Sequence, residues 1–424
     1  MKNNCRWLSK YIVVLLGILL VFALTACGGG ENADSDSGEG VSQEAISEEG
    51  LSSEGESYSD AASSENADGD VDPMAGLGKG RPLESYGQLE HQIVADSSAS
   101  SNISESASSN TSESNNSGKS ANSSDSSNSY EDADVPVVYF TSEINPDGMF
   151  AVYEALGVAP EAGDKVGVKL HTGASEETYY LRKDLIGDFV QSLNGTVVEC
   201  NTALGGSRSN TAYHYQMAED HGFTEFAPVV ILDENGSFEL PVDGKHIKAD
   251  LVGGHFPDYD FYVVLSHFKG HMMGGFGGAL KNISIGFASS QGKNRIHRAG
   301  ESDEAWFPIH GADQDDFQET MAEAGKAVSD YCGDKIIYIN VMNNLSVDCD
   351  CVPMPRDPAM ESIGILASTD PVALDQACVD LVYAAPDGHD LIISIETLHG
   401  QHGLDYGEEI GLGSKSYKLV NLDD

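Results

Sequence analysis

The sequence predicts an α/β domain built on a mostly parallel sheet flanked by helices, as one body or two lobes with a crevice between them, behind a long disordered tether. Two patterns carry this expectation. From about Val135 to Asp424, short β-branched runs alternate with amphipathic stretches, the order that a parallel sheet with crossover helices requires. Before that, Gly28 to about Asp134 is dominated by Ser, Asn, Gly, Asp and Glu, too poor in apolar side chains to offset chain entropy by burial.

In chain order, the N-terminus MKNNCRWLSK carries Lys2, Arg6 and Lys10 and no acid, and an apolar run from Tyr11 ends in Leu24-Thr25-Ala26-Cys27. A basic segment, an apolar segment and a small-residue cleavage site are the plan of a secretory signal over residues 1–26. The apolar run, about 14 residues, is shorter than the ~20 that a bilayer core demands. Its Leu-x-Ala-Cys ending resembles the lipobox of bacterial lipoproteins. The resemblance implies cleavage before Cys27, lipid on that cysteine and a domain held at the outer face of a cell membrane, two acyl chains being enough for stable anchoring.

Residues 27–134 then read as a self-repelling tether, a coil of ~55–60 Å root-mean-square span before charge extends it. Segment 74–94, MAGLGKGRPLESYGQLEHQIV, is the exception, either a short docking element or nothing. The 424 residues carry a formal net charge of -45. That argues against nucleic acid as a partner, since its binding rests on Lys and Arg neutralising phosphates.

In the domain, VPVVYF, KVGVKL, TVVEC, APVVIL, FYVVLSH, KIIYINV and SIGILAS read as strands. YLRKDLIGDFVQSLNG, SNTAYHYQMAEDHG, DQDDFQETMAEAGKAVSDYCG and DPVALDQACVDLVYAA read as helices, the first and third closed by Gly195 and Gly333 and the fourth opened by Asp370-Pro371. Ligands of such sheets sit at the carboxyl ends of strands, where several polar clusters fall.

The densest cluster follows the strand Phe261 to Leu265: His267, Lys269 and His271, then Gly274, Gly275, Gly277 and Gly278, then Lys281-Asn282. Two imidazoles and two ammoniums beside a glycine loop suit an anionic ligand or a metal, against the plainer reading of a core histidine and a tight turn. A second cluster, SVDCDCVPMPRDP, sets Cys349 and Cys351 on either side of Asp350. In an extended chain both thiols point the same way and suit a divalent metal once deprotonated. A disulfide between them would be strained. Cys200, Cys332, Cys349, Cys351 and Cys378 are an odd set, so at least one thiol stays unpaired; Cys200 and Cys378 read as core residues. His171 closes the strand KVGVKL. The loop Asn201 to Asn210 offers Gly205, Gly206, Ser207, Arg208 and Ser209 to a phosphate or carboxylate, although a turn with a solvated Arg208 is the simpler reading. His389, His399 and His402 read as surface or capping residues, with only the last pair, in LHGQHG, at ligand-like spacing.

HFKGHMMGGFGGALKN, with VKLHTG, CNTALGGSRSNT and IGILASTDPVALDQA, closely resembles the domain-of-unknown-function family number 362 over about Val135 to Leu422. Members are often described as uncharacterised iron–sulfur centre proteins, and many carry an inserted ferredoxin module with C-x2-C-x2-C-x3-C runs. This sequence lacks those runs; the acidic stretch Asp313 to Tyr331 stands there, so no ferredoxin-type cluster is expected. The spacing of His271, Gly275, Gly277, Gly278 and Lys281 also resembles, more weakly, the core motif of the nickel-pincer lactate racemases. That resemblance implies a covalent nucleotide on Lys281, acid/base work by His271 and nickel on His297.

The combined expectation is a metal- or cofactor-dependent enzyme acting on a small anionic substrate. Its catalytic groups are His171, His271 and Lys281; His267, Lys269, Gly275, Gly278 and Arg208 bind cofactor; His297, Cys349 and Cys351 hold a transition metal (nickel, zinc or iron). The alternatives are a ligand- or metal-binding lipoprotein without turnover and an electron-transfer protein. All of them require groups distant along the chain to meet in one crevice.

Overall fold

In the computed structural model, which describes residues 76–86, 135–175, 178–304 and 311–423, eight strands share one sheet. They are β1 (Val137–Thr141), β2 (Val166–Lys169), β3 (Thr196–Glu199), β4 (Val229–Ile231), β5 (Phe261–His267), β6 (Ile336–Met342), β7 (Gly364–Ser368) and β8 (Lys418–Asn421). Their order across the sheet is β8-β1-β7-β6-β5-β2-β3-β4. Every neighbouring pair is parallel except the two made by β7, which opposes both β1 and β6. The seven strand runs legible in the sequence all form, and β8 adds an edge. No second lobe with its own large sheet appears among the described residues. All described residues belong to one unit, Asp68–Asp424; the expected signal and Cys27 lie outside them.

The apolar runs follow from the layering. β5 and β6 are buried at every position, because helices cover both faces of the sheet. Alternation sends Tyr262 and Val264 to one face, with Ala327 and Leu374 of the helices Gln314–Cys332 and Pro371–Ala384. Phe261, Val263 and Leu265 turn to the other, with Met149 and Phe189 of Pro146–Leu156 and Lys183–Ser192. Each such fully buried side chain contributes ~1.5–3 kcal/mol.

The four expected helices form at Lys183–Ser192, Thr211–Asp220, Gln314–Cys332 and Pro371–Ala384. Asp370 caps the last by accepting the Val372 and Ala373 amides. The left-handed residue ending the first is Asn194 (φ 48°) rather than Gly195, whose amide instead bonds the Val190 carbonyl. The helix Pro146–Leu156 was not expected, although Asn145 caps it, Pro146 opens it and Gly157 closes it at φ 65°.

The N-terminal boundary also moves. Gly78–Lys79 pairs with Glu143–Ile144, Leu83 and Tyr86 are buried in the core, and Arg81 grips Asp387 through two hydrogen bonds of 2.8 and 3.0 Å. Residues 76–86 are thus a strap of the domain, inside the range read as tether.

Candidate functional site

From β2 the chain builds outward through β3 and β4, then returns to the opposite side of β2 as β5. Loops leaving the carboxyl ends of β2 and β5 therefore diverge, and such a switch point leaves a crevice. A cavity of about 120 Å³ opens there. Lys169 ends β2 and His171 follows it; Glu199 ends β3; His267 ends β5. A larger groove of about 620 Å³ lies at the amino ends of the same strands, where His255 is paired with Asp258 and Glu234.

After β5 the chain forms a hairpin, Lys269–His271 against Gly275–Gly277, which turns Lys269 and His271 to the same face. Gly270 between them is obligatory: a Cβ there would stand 2.3 Å from the Val347 carbonyl oxygen. A helical turn, Ala279–Lys281, runs into the π-turn Asn282–Gly286 and carries Lys281 to the cavity. Asp375 anchors that turn, accepting the Ala279 and Leu280 amides at 2.8 and 2.9 Å. The helix Ser290–His297, capped by Ser289, brings Lys293 and His297 to the wall.

Because β6 lies parallel and adjacent to β5, with Val341 opposite His267, the loop after β6 folds over the end of β5. That loop delivers Cys349, Asp350 and Cys351. Asp350 Oδ2 lies 2.9 Å from both His267 Nδ1 and Lys269 Nζ. Burial opposes its ionisation, but His267 and Lys269 hold the carboxyl well below the usual carboxylate range.

Of the four imidazoles lining the cavity, His171, His271 and His297 differ in what they can offer. His271 Nδ1 accepts the amides of Gly274 (2.9 Å) and Met273 (3.2 Å), so the neutral ring carries its proton on Nε2. His297 is the opposite tautomer: Nδ1 donates to the Lys293 carbonyl at 2.6 Å, leaving Nε2 with the lone pair. Burial pushes His297 down to about 3 and lowers His271, helped by Lys281 beside both. His171 accepts the Gly173 amide on Nδ1 and lies 3.1 Å from Arg208. Burial, then the Arg208 charge, lowers it well below its ordinary value.

Cys349 is 1% exposed and Cys351 lines the cavity. The Cys351 amide donates to Cys349 Sγ at 3.3 Å, and ligand-type atoms of His271, Cys349 and Cys351 lie within 4.8 Å of one another. The Cys351 thiol, then Lys281 and His271, lower Cys349 well below the usual thiol range, while Cys351 is raised by the thiolate it faces.

The structure thus brings His171, His271, Lys281, His297, Arg208, Lys269, Gly278 and Cys351 to one cavity, with Cys349 directly behind it. Two expected residues have other roles. His267 reaches the wall, but both its ring nitrogens are engaged, Nδ1 by Asp350 and Nε2 by the Asn343 carbonyl at 2.7 Å, so it braces the cysteine loop. Gly275 falls outside the cavity: it takes the hairpin turn at φ 78°, and a Cβ there would press on Ile395 and Gly400. Arg208 is buried at 5% exposure rather than solvated.

Sequence reasoning missed Lys169, Glu199 and Lys293. Lys169 Nζ lies 3.2 Å from Glu199 Oε1, both buried, and Lys293 donates to the Ala288 carbonyl. A charged residue as the last position of an apolar strand was the available signal for the first two. Lys169, Arg208, Lys269, Lys281 and Lys293 therefore line a cavity with Glu199 as its acid. The ammonium of Lys281 makes no hydrogen bond or ion pair among the described residues.

The chemistry of these donors suits a soft metal. His297 offers a neutral nitrogen held in place from behind, and the cysteines offer sulfur, both of which fit a nickel- or zinc-class ion. His271 does not fit while its proton sits on Nε2; its geometry is that of a proton donor.

The fold resembles, at low similarity, the lactate racemase apoprotein from Thermoanaerobacterium thermosaccharolyticum, with 14% identity, 57% of this chain and 56% of that chain covered and a TM-score of 0.35. A structural-genomics target from Thermotoga maritima matches with 13% identity, 55% and 57% coverage and a TM-score of 0.33. The chain spans little more than half the length of either. No curated protein matches the sequence. The family model described as "Domain of unknown function (DUF362)" matches residues 166–380, just over half of the chain, and the protein belongs to that family.

Proposed function

We propose that the domain is a metal- or cofactor-dependent enzyme acting on a small anionic substrate in the cavity at the carboxyl ends of β2, β3 and β5. The observation that carries this reading is the lining: five cationic side chains converge on one cavity of a chain whose net charge is -45. In a water-poor crevice such charges bind an anion far more strongly than at the surface.

Roles follow from the geometry. Arg208 and Lys281 hold the anion, Lys281 being the ammonium that makes no hydrogen bond or ion pair among the described residues. His271, proton on Nε2, donates to the ligand or to Cys349, and His171 sits beside Arg208 on the same cavity, where it contacts the bound anion. Cys349 and Cys351 would hold a transition metal, which would polarise a bound oxygen, with His297 on the same cavity as a further nitrogen donor. The protein is further proposed to act outside the cytoplasm, tethered to the cell membrane by lipid on Cys27.

Metal analysis and intact mass of anaerobically purified protein test the enzyme reading. A stoichiometric transition metal lost in His297→Ala, or a covalent adduct on Lys281, supports it. Neither, together with tight capture of an unmodified small anion, establishes a binding protein instead. For the anchor, Cys27→Ser should move the protein from the membrane fraction to the soluble one.

A further inference from the structure

Away from the cavity, three elements converge on one carboxylate. Glu319 sits on the helix Gln314–Cys332. His246 Nε2 lies 2.6 Å from its Oε2, and His402 Nε2, from the helix Gly400–Glu409, lies 3.2 Å from its Oε1. Asp316, one turn earlier on the same face, places Oδ1 3.7 Å from His246 Nε2. The ligand-type atoms of His246, Asp316 and Glu319 all lie within 4.8 Å of one another.

The cluster is held from behind. Glu323, fully buried, accepts the backbone amides of His246 and Ile247 (3.1 and 2.8 Å) and the Tyr406 hydroxyl (2.9 Å), which pins the loop carrying His246 to both helices. A cation already stands between the carboxylates: Lys245 Nζ is 2.6 Å from Glu319 and 3.9 Å from Asp316. Its side chain is 59% exposed and can leave without a buried cost.

We propose that His246, His402, Asp316 and Glu319 form a second metal site, separate from the cavity, for a zinc-class divalent cation that displaces the Lys245 ammonium. Two imidazoles with two carboxylates is a four-ligand N/O set of the kind zinc takes. Calcium and magnesium need more oxygen ligands than this cluster supplies. The bound ion staples the His246 loop to two helices. One of those helices packs Phe317 on the His297 ring (5.1 Å between centroids) and Gln318 on the Gly274 carbonyl (3.2 Å), so the staple stiffens the cavity wall.

The experiment is zinc titration of the chelator-treated full-length protein by calorimetry, beside His246→Ala and Lys245→Ala. Wild type should bind one more zinc per chain than His246→Ala, and that zinc should raise the thermal midpoint. Lys245→Ala, freed of the competing ammonium, should bind it about two- to fivefold more tightly, the range a surface ion pair commands. Equal zinc stoichiometry in wild type and His246→Ala would overturn the proposal, as would weaker binding by Lys245→Ala. Far-UV circular dichroism of both variants confirms that the fold is intact before either result is read.

Discussion

Gly278 faces the carboxylate of Asp375 so closely that a Cβ at 278 would stand 2.3 Å from its Oδ1. This contact is what seats the turn carrying Lys281, because the same carboxylate accepts the Ala279 and Leu280 amides and the Asn340 side chain. Gly278→Ala should displace Asp375 and unseat the turn, destabilising the domain by about 2–4 kcal/mol through overpacking and unsatisfied amides. Chemical unfolding measures it, and a loss below about 0.5 kcal/mol would show that the turn is held otherwise.

Among the described residues Lys281 pairs with no carboxylate, so Lys281→Met orphans none of them. Stability should change by less than about 1 kcal/mol. Affinity for malonate or phosphate, titrated by calorimetry, should fall about tenfold or more, the value of one charged hydrogen bond. Lys269→Met should behave differently, losing stability as well, since Asp350 would keep only His267.

The thiols should divide sharply by reactivity. Iodoacetamide at pH 7 should label the Cys349/Cys351 pair in the folded protein ahead of the other three, because Cys349 is held well below the usual thiol range and Cys351 opens onto the cavity. Cys200 and Cys378 are buried and their thiols pushed up by burial, as is Cys332, to about 12. Those three should label only after denaturation. Mass spectrometry of tryptic peptides decides the matter, and equal labelling of all five would contradict the thiolate assignment.

A chain beginning at residue 135 lacks the strap that buries Leu83 and Tyr86 and pairs Arg81 with Asp387. Against one beginning at residue 76, it should be less stable by about 1–3 kcal/mol, the lost apolar burial less the entropy of ordering the strap. Matching urea midpoints would mean that the strap contributes nothing.

Asp250 is fully buried, its Oδ1 accepting the Leu251 amide at 2.8 Å and its Oδ2 without a partner among the described residues. Burial pushes its carboxyl up to about 7 against an unfolded value near 3.8. Between those values the folded chain binds the proton that the unfolded chain releases, so this group's contribution to stability declines as pH rises from about 4 to about 7. Asp250→Asn removes that dependence. The stability of the variant relative to wild type should rise by at least about 1 kcal/mol from pH 5 to pH 8, measured by urea unfolding. An unchanged difference would mean that the carboxyl titrates normally.

Much of the fold was legible because its signals are local. β5 and β6 announce themselves as unbroken apolar runs, and Asp370-Pro371 marks a helix start through its own neighbours. The helix Pro146–Leu156 is equally marked by Asn145, Pro146 and Gly157. The strap was harder: Leu83 and Tyr86 sit in a short, Gly-rich segment whose partners, Asp387 among them, lie about three hundred residues on.

The order of strands and helices, and the placing of polar groups just past strand ends, follow from periodicity and composition alone, since side chains repeat every two residues in a strand and about 3.6 in a helix. The return of the chain to the opposite side of β2, which gathers His171, Lys281, His297 and Cys351 around one cavity, does not. Neither do the opposite tautomers of His271 and His297, nor the consumption of His267 by Asn343 and Asp350. Register and hydrogen-bond partners are settled between segments far apart in the chain, and no local repeat encodes which of them will meet.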